Sequence, residues 1–228
     1  MKAVLVAGGT GALGSAVVRT LLDAGHPVTC TWIVEAERDR SQKELGDREG
    51  FGLVEADLFD PDSAVAAVNG VEDLGAVVDL VGGYAGSGRV HETAPEDFDR
   101  LLRLNVRPLF LLARAAMPRL IQGGGGALVA VSARAALQPF PGAAGYVTAK
   151  AAVLALVRAL DKEYAKDGIR CNAVLPSVID TPANRRDDPD ADHSKWVAPD
   201  EIASVIRFLI SDESAPVSGA GVPVYGRA

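Results

Sequence analysis

A regular alternation of short apolar runs with longer amphipathic stretches is the feature of this sequence that most constrains its fold. The apolar runs predict strands over residues 2–7, 28–34, 52–56, 76–81, 127–131 and 171–175, with a weaker seventh over 222–225. Helical spacing and start signals predict helices over residues 12–24, 35–45, 62–69, 95–122, 143–166 and 200–211. Because near-continuous apolar strands are buried on both faces, we predict one doubly wound α/β domain over residues 1–228. It has about seven parallel strands, with helices on both faces of the sheet.

Charge, apolar run length and cysteine content disfavour several classes of protein. The 228 residues carry 23 Lys and Arg against 30 Asp and Glu, a net charge of −7 without a basic block, which disfavours nucleic-acid binding. The longest apolar run, residues 151–157, is far shorter than the roughly 18 residues of a membrane-spanning helix. Residues 1–9 lack a signal-peptide core, and Cys30 and Cys171 resemble reduced thiols in apolar runs. We therefore expect a cytoplasmic protein that binds neither nucleic acid nor membranes.

A glycine-rich turn directly follows the first predicted strand and opens the first predicted helix. Gly9-x-Gly11-x-x-Gly14 matches the dinucleotide fingerprint of a Rossmann-type fold. Glycines let a pyrophosphate approach the backbone, and the helix dipole and first N–H groups stabilise its charge. The turn therefore predicts a dinucleotide site, with cofactor-binding residues Gly8, Thr10, Gly11, Ala12, Leu13 and Gly14.

The segment after the second predicted strand bears on the choice of nucleotide. A carboxylate there favours NAD by binding the ribose 2′-OH, and a guanidinium favours NADP by binding the 2′-phosphate. Glu35 suits the first role, whereas Arg38 and Arg40 suit the second. The balance favours NADP(H) slightly over NAD(H), and the alternative is that these are ordinary solvated helix charges.

Tyr146 and Lys150 are four residues apart at the start of a long predicted helix, so both side chains lie on one helix face. An ammonium beside a phenol stabilises the phenolate, which would bring the pKa of Tyr146 closer to neutral. Tyr146 is therefore a candidate acid/base. Ser132 ends the fifth predicted strand, where its hydroxyl is expected to hold a substrate oxygen next to the phenol.

Several motifs in this order and spacing resemble the short-chain dehydrogenase/reductase family over essentially the whole chain. They are Gly8-x-x-x-Ala12-x-Gly14, Asn105, Ser132, Tyr146-x-x-x-Lys150 and Pro176-Ser177-x-Ile179-x-Thr181. The resemblance implies an oxidoreductase that transfers a hydride between a nicotinamide cofactor and a small carbonyl or secondary alcohol.

The resemblance also implies roles for individual residues. Tyr146 exchanges a proton with the substrate oxygen, Lys150 holds the nicotinamide ribose and lowers the phenol pKa, Ser132 fixes the substrate, and Asn105 supports a water-linked proton path. Further expected cofactor contacts are Asp57 and Leu58 at the adenine, Gly82 and Gly83 after the fourth strand, and Pro176, Val178, Ile179 and Thr181 at the nicotinamide.

One departure from the family pattern keeps other functions open. Leu80-Val81-Gly82-Gly83 stands where the family usually has an Asn-Asn-Ala-Gly turn, and together with Tyr84-Ala85-Gly86 it is similar to dihydropteridine reductases. A dihydropteridine-reductase-like C=N reductase is therefore one alternative, and a non-catalytic dinucleotide-binding sensor or regulator is another. Apolar Leu137, Phe140 and Val178 are expected either in a substrate pocket or in the core.

Three remaining features give expectations about assembly, metal binding and mobility. The predicted helices 95–122 and 143–166 are apolar on more than one stripe, which favours a homodimer or homotetramer through them. His26, His91 and His193 lie far apart in turn or loop contexts, so no metal site is expected. Residues 181–197 are polar and without periodicity, which indicates a mobile surface loop.

Overall fold

The computed structural model describes residues 1–86 and 88–227. Seven strands form one sheet in the order β3-β2-β1-β4-β5-β6-β7, with every neighbouring pair parallel. The strands are β1 (Ala3–Ala7), β2 (Val28–Trp32), β3 (Phe51–Glu55), β4 (Leu74–Asp79), β5 (Gly126–Val131), β6 (Ile169–Pro176) and β7 (Gly221–Val224). The predicted single α/β domain with about seven parallel strands is confirmed.

Helices cover both faces of this sheet. They are α1 (Ala12–Asp23), α2 (Glu35–Leu45), α3 (Pro61–Asn69), α4 (Pro95–Gln122), α5 (Ala144–Tyr164), α6 (Pro182–Asp187) and α7 (Pro199–Ile210). Side chains of α3, α4 and α5 form one hydrophobic core with the sheet, and side chains of α1, α2 and α7 form a second core on the opposite face. Burial on both faces explains why the strands are nearly continuous in apolar residues.

Strand ends differ by a few residues from the sequence-based prediction, for local reasons. β2 stops at Trp32 because Val34 becomes the N-cap residue of α2. β4 stops at Asp79, whose carboxylate accepts a hydrogen bond from the Val81 N–H at 3.1 Å and turns the chain out of the sheet. Apolar residues continue after both endings, at Ile33 and Val34 and at Leu80 and Val81, so the predicted strands end too late.

The prediction of an irregular, mobile loop over residues 181–197 is wrong in part, because this segment contains α6. Thr181 caps the helix by accepting a hydrogen bond from the Asn184 N–H at 3.2 Å. Asp180 and Arg185 form a two-point ion pair at 2.5 and 2.7 Å. Val197 then pairs with Val178 and Asp180 through two backbone bonds of 2.9 Å. A helix this short has no periodicity to detect, so capping alone signals it.

Strand order reverses between β1 and β4, because β1 connects outward to β2 while β4 connects to β5 on the other side. Ligands in open parallel sheets bind at the carboxyl ends of the strands beside such a reversal. Loops after β1, β2, β4, β5 and β6 therefore frame the candidate site. Across the described residues, no helix combines the length and apolar character needed to cross a membrane.

Candidate active site

The glycine turn after β1 packs too closely for side chains at two positions. A Cβ placed on Gly14 would lie 2.5 Å from the Gly9 carbonyl group and closer still to the Gly8 oxygen. A Cβ on Gly9 would lie 2.7 Å from the Cys30 sulfur in β2. Gly8 adopts φ +72°, a conformation that favours glycine. The turn is therefore held against both α1 and β2 by contacts that only glycine permits.

Two charged residues of α2 support the outer side of this turn. The Thr10 hydroxyl donates to Glu37 at 3.0 Å, and Arg40 donates to the Thr10 carbonyl oxygen at 2.6 Å. On the inner side, the Gly8 N–H donates to the Thr31 hydroxyl at 3.2 Å. Glu37 and Thr31 were not identified from the sequence, because nothing in their spacing shows that they meet the turn.

The turn fits the pyrophosphate of a dinucleotide. The cradle is kept open by glycines, and α1 begins at Ala12 with no acidic side chain in its first turn. The first N–H groups of a helix lack partners within that helix and point toward its N-terminal end, where the dipole favours an anion. Residues 8–14 would hold the phosphates here, and their contact with the cofactor stays a prediction.

Both arginines that were expected to bind a 2′-phosphate have protein partners. The Arg38 guanidinium stacks on Trp32, 4.9 Å from the ring centroid, and forms an ion pair with Asp39 at 2.7 Å. Arg40 donates its hydrogen bond to the Thr10 carbonyl oxygen of the glycine turn. Asp57 is exposed and Leu58 is buried directly after β3, at the edge where an adenine ring is expected.

Asn105 of α4 fixes the Gly82-Gly83 turn after β4. Its amide oxygen accepts from the Gly83 N–H and its amide nitrogen donates to the Gly83 oxygen, both at 3.1 Å. The same nitrogen donates to the Leu101 oxygen at 3.0 Å. A Cβ on Gly82 would lie 2.5 Å from the Asn105 oxygen and 3.0 Å from the Lys150 nitrogen. Glycine here therefore lets the turn approach Asn105 and Lys150 directly.

Lys150 is a buried cation next to a buried carboxyl group that the sequence did not single out. Its ammonium donates to the Val131 oxygen at 3.0 Å. Burial lowers the pKa of Lys150 to about 8, and the charge of Asp79 opposes that shift. Burial raises the pKa of Asp79 to about 7, against the Val81 N–H bond and the charge of Lys150. The two groups therefore support each other's charged forms in a poorly solvated place.

Tyr146 lies beside this cation but its pKa is not lowered. The Lys150 nitrogen is 6.0 Å from the Tyr146 ring centroid. Burial, and secondly the neighbouring Tyr84, raise the pKa of Tyr146 to about 12. The expectation that the ammonium brings this pKa closer to neutral is therefore wrong for the protein itself, because the loss of solvent outweighs the distant charge.

Ser132 is turned away from the cleft, contrary to the prediction. Its hydroxyl donates to the Lys150 carbonyl oxygen at 2.7 Å, and only 2% of the residue is exposed. The hydroxyl proton is therefore used inside the protein, where it ties β5 to α5. Ala133 follows it and carries no hydroxyl. Among the described residues, Tyr84 lies against Tyr146, with ring centroids 5.1 Å apart.

The segment after β6 is held by hydrogen bonds to its own carbonyl groups. The Val178 oxygen accepts from Val197, and the Ile179 oxygen accepts from Thr181 and Asn184, at 2.8 to 2.9 Å. Pro176 is buried at the end of β6, where the chain leaves the sheet. Within the residues described, no group of three His, Cys, Asp or Glu side chains is placed to hold a metal ion.

Comparison with known proteins gives relatives along most of the chain. Residues 2–192 match the family described as short chain dehydrogenase. A 2-(R)-hydroxypropyl-CoM dehydrogenase from Xanthobacter autotrophicus is 36% identical over 186 residues, which cover 75% of this chain and 74% of the relative. A D-threitol dehydrogenase from Mycolicibacterium smegmatis is 27% identical over 238 residues, covering 99% of this chain and 92% of the relative.

The fold has close structural relatives as well. A short-chain type dehydrogenase/reductase from Mycobacterium ulcerans matches with a TM-score of 0.93 at 25% identity, covering 99% of this chain and 89% of that one. The resemblance drawn from the motifs is thereby confirmed. On the match over residues 2–192 and the relative at 36% identity, the chain belongs to the short-chain dehydrogenase/reductase family of oxidoreductases, which bind a nicotinamide cofactor.

Proposed function

We propose that this chain transfers a hydride between a nicotinamide cofactor and a small carbonyl or secondary alcohol substrate, with Tyr146 as the acid/base. The observation that carries the proposal is the placement of the Tyr146 phenol and the Lys150 ammonium on one face of α5, beside the Gly82-Gly83 turn. The bound nicotinamide would supply the hydride chemistry, and the protein would supply the proton.

Tyr146 holds its proton at neutral pH because its pKa is raised to about 12. A phenol with so high a pKa gives its proton only to a strongly basic atom, such as a substrate oxygen that has gained negative charge, which favours the reductive direction. Lys150 stabilises the phenolate that this donation leaves behind, and Asp79 helps Lys150 to stay charged. Asn105 contributes by fixing the turn that lies against Lys150. Its part in a water-linked proton path stays a prediction.

For the nucleotide we propose NADP(H) over NAD(H). Arg38 and Arg40 both lie on α2 near the expected adenosine end, and the ion pair of Arg38 with Asp39 is exposed. An exposed pair of this kind contributes little, so a phosphate can displace Asp39 at small cost. Glu37, which lies near Thr10, favours NAD(H) instead, because a carboxylate can bind the ribose 2′-OH. Titration with NADPH and NADH, followed by nicotinamide fluorescence, decides between them, and tighter NADH binding would reject the choice.

A dihydropteridine-reductase-like reduction of a C=N bond is the second candidate. The observation that favours it is the inward orientation of Ser132, whose hydroxyl donates to the Lys150 carbonyl oxygen and is therefore not available to polarise a substrate carbonyl oxygen. The same proton from Tyr146 would then go to a substrate nitrogen. A panel of ketones, quinones and quinonoid dihydropterins, read at the absorbance of the reduced cofactor, separates the two candidates.

The Tyr146→Phe variant tests the proposed mechanism. Removing the hydroxyl should lower kcat by on the order of 1000-fold, a size typical of lost acid/base catalysis, while the Kd of the cofactor stays within about twofold. The sensor alternative makes the opposite prediction, because a sensor without chemistry would behave the same with phenylalanine. Turnover that survives the substitution would remove Tyr146 from the mechanism.

We also propose that the chain forms a homodimer or homotetramer through α4 and α5. Phe110 is 52% exposed on α4, and Leu102 and Val106 lie near it on the same helix. Light scattering of the purified protein tests this assembly, and a monomer at micromolar concentration would reject it.

A cytoplasmic location is proposed from the two buried free thiols, Cys30 and Cys171, and cell fractionation tests it.

A further inference from the structure

Large apolar side chains are exposed in three loops at the carboxyl edge of the sheet. They lie in the loops that follow β4, β5 and β6: Tyr84, Leu137, Phe140 and Val178. Their exposed fractions are 61%, 51%, 45% and 48%, respectively. Exposed apolar side chains are ordinary when scattered, but their gathering around one edge indicates a ligand surface. These side chains are therefore placed to contact substrate rather than to fill the core.

Tyr84 is the middle member of a cluster of three aromatic rings. Its centroid lies 5.1 Å from that of Tyr146, with the planes at 89°. It lies 6.3 Å from that of Phe140, with the planes at 42°. The contact with Tyr146 is edge-to-face, a favourable geometry for a pair of aromatic rings, and the contact with Phe140 is tilted. Since 61% of Tyr84 is nevertheless exposed, much of its aromatic surface is accessible directly beside Tyr146.

The two loops that carry these rings lie close together. A Cβ on Gly86 would lie 3.0 Å from the Tyr84 hydroxyl oxygen and 3.8 Å from the Gly142 carbonyl oxygen. A Cβ on Gly142 would lie 3.9 Å from the Gly88 backbone. The Tyr84 ring thus lies between the Tyr146 and Phe140 rings, with Gly86 near its hydroxyl group. An exposed ring fixed in this way meets a ligand with little loss of side-chain entropy.

We propose that Tyr84 and Phe140 form an aromatic wall that makes this enzyme selective for substrates whose C=O or C=N bond belongs to, or is conjugated with, a flat ring. The inference rests on the proposed function, because it places the reacting bond at the Tyr146 hydroxyl. A flat ring can lie against Tyr84 over its whole area, whereas a puckered ring of the same size touches it at a few atoms. The wall positions the substrate and takes no part in proton transfer.

The test compares two ligands that cannot react, 2-naphthamide and its saturated analogue decahydronaphthalene-2-carboxamide. Both have one amide on a bicyclic skeleton, and they differ in flatness. Their Kd values are measured by calorimetry on the protein saturated with oxidised cofactor. The wild-type protein should bind the flat amide about tenfold more tightly, within the range of aromatic contact energies. In Tyr84→Leu the preference should fall to about twofold or less.

Tyr84→Phe is the matched control, because it keeps the ring and removes the hydroxyl. It should retain the flat-ligand preference of the wild-type protein. An unchanged cofactor Kd in both variants shows that the fold is intact, as expected for a side chain this exposed. Equal binding of the two amides by the wild-type protein would overturn the proposal, and so would a full preference in Tyr84→Leu.

Because neither amide is turned over, the binding ratio is independent of catalysis. A protein that shows the Tyr84-dependent preference but reduces no carbonyl or C=N compound would support the aromatic wall and reject the proposed hydride transfer. A protein that reduces ketones but binds the two amides equally would support the proposed hydride transfer and reject the aromatic wall.

Discussion

The two halves of the cleft are built in different ways. On the nucleotide side, the turn after β1 is determined by the backbone, since side chains are excluded at Gly9 and Gly14 by contacts of 2.5 to 2.7 Å. On the substrate side, the geometry depends on side chains, with Ser132 turned inward and Tyr84 turned outward. The nucleotide side therefore tolerates no side chain at Gly9 or Gly14, whereas the substrate side can change its ligand without changing its fold.

Among the substitutions that compare the two halves of the cleft, the largest effect is expected on the nucleotide side, in Gly14→Ala. Its methyl group would meet the backbone of Gly8 and Gly9, and because neither can move independently of β1 the whole turn must shift. We expect cofactor binding to weaken on the order of 100-fold, and the free energy of unfolding to fall by about 2 kcal/mol. Fluorescence titration and urea denaturation measure the two effects.

Gly11→Ala is the matched comparison, because a Cβ there would lie 3.5 Å from the Gly8 oxygen, an ordinary contact. Its free energy of unfolding should stay within about 0.5 kcal/mol of the wild-type value. Equal destabilisation of the two variants would mean that packing does not distinguish the glycines of this turn, and the contrast between the two halves of the cleft would be lost.

Asp79→Asn tests whether the buried Asp79 carboxylate helps Lys150 to keep its positive charge. The charge of Asp79 raises the pKa of Lys150, so its removal should move that pKa below about 8. Lys150 then loses its proton at lower pH, and the alkaline limb of kcat/KM should shift down by about one pH unit. A pH profile of the variant measures this shift, and an unmoved limb would show that Asp79 does not act on Lys150.

The same substitution should change how stability depends on pH. The pKa of Asp79 is raised to about 7 in the folded protein, so the native state binds its proton more tightly than the unfolded chain does. This contribution to stability is present below about pH 4 and is lost as the pH rises through 7. Relative to the wild-type protein, Asp79→Asn should therefore gain stability between pH 5 and pH 8, and exposed Asp99→Asn should not.

The smallest effect is expected from Ser132→Ala. The substitution removes one hydrogen bond between β5 and the Lys150 carbonyl oxygen, which should lower the free energy of unfolding by about 1 kcal/mol. Turnover should stay within about threefold, because the hydroxyl faces the protein rather than the substrate. A loss of turnover near that of Tyr146→Phe would show that the serine does hold the substrate oxygen. The inward orientation of Ser132 would then not be its orientation during catalysis.

The fold could be predicted from sequence because its signals are local. Buried runs such as residues 127–131 and helix starts such as Pro95 depend on nearby residues alone, and every predicted strand and helix is present within a few residues. The helix Pro182–Asp187 was not predicted, because six residues are too few to show a helical period. The positions of Tyr146 and Lys150 on one helix face also followed from spacing.

Sequence by itself determined the α/β architecture, the glycine turn and the pairing of phenol with ammonium, because each is a consequence of backbone geometry or of helical spacing. Only the tertiary structure decided where Ser132 points, that Asp79 lies near Lys150, and that Tyr84 stands beside Tyr146. Those facts depend on groups far apart in the chain, and on the loss of solvent around them. The physical reason is that burial and side-chain orientation are set by packing between elements, which no local pattern encodes.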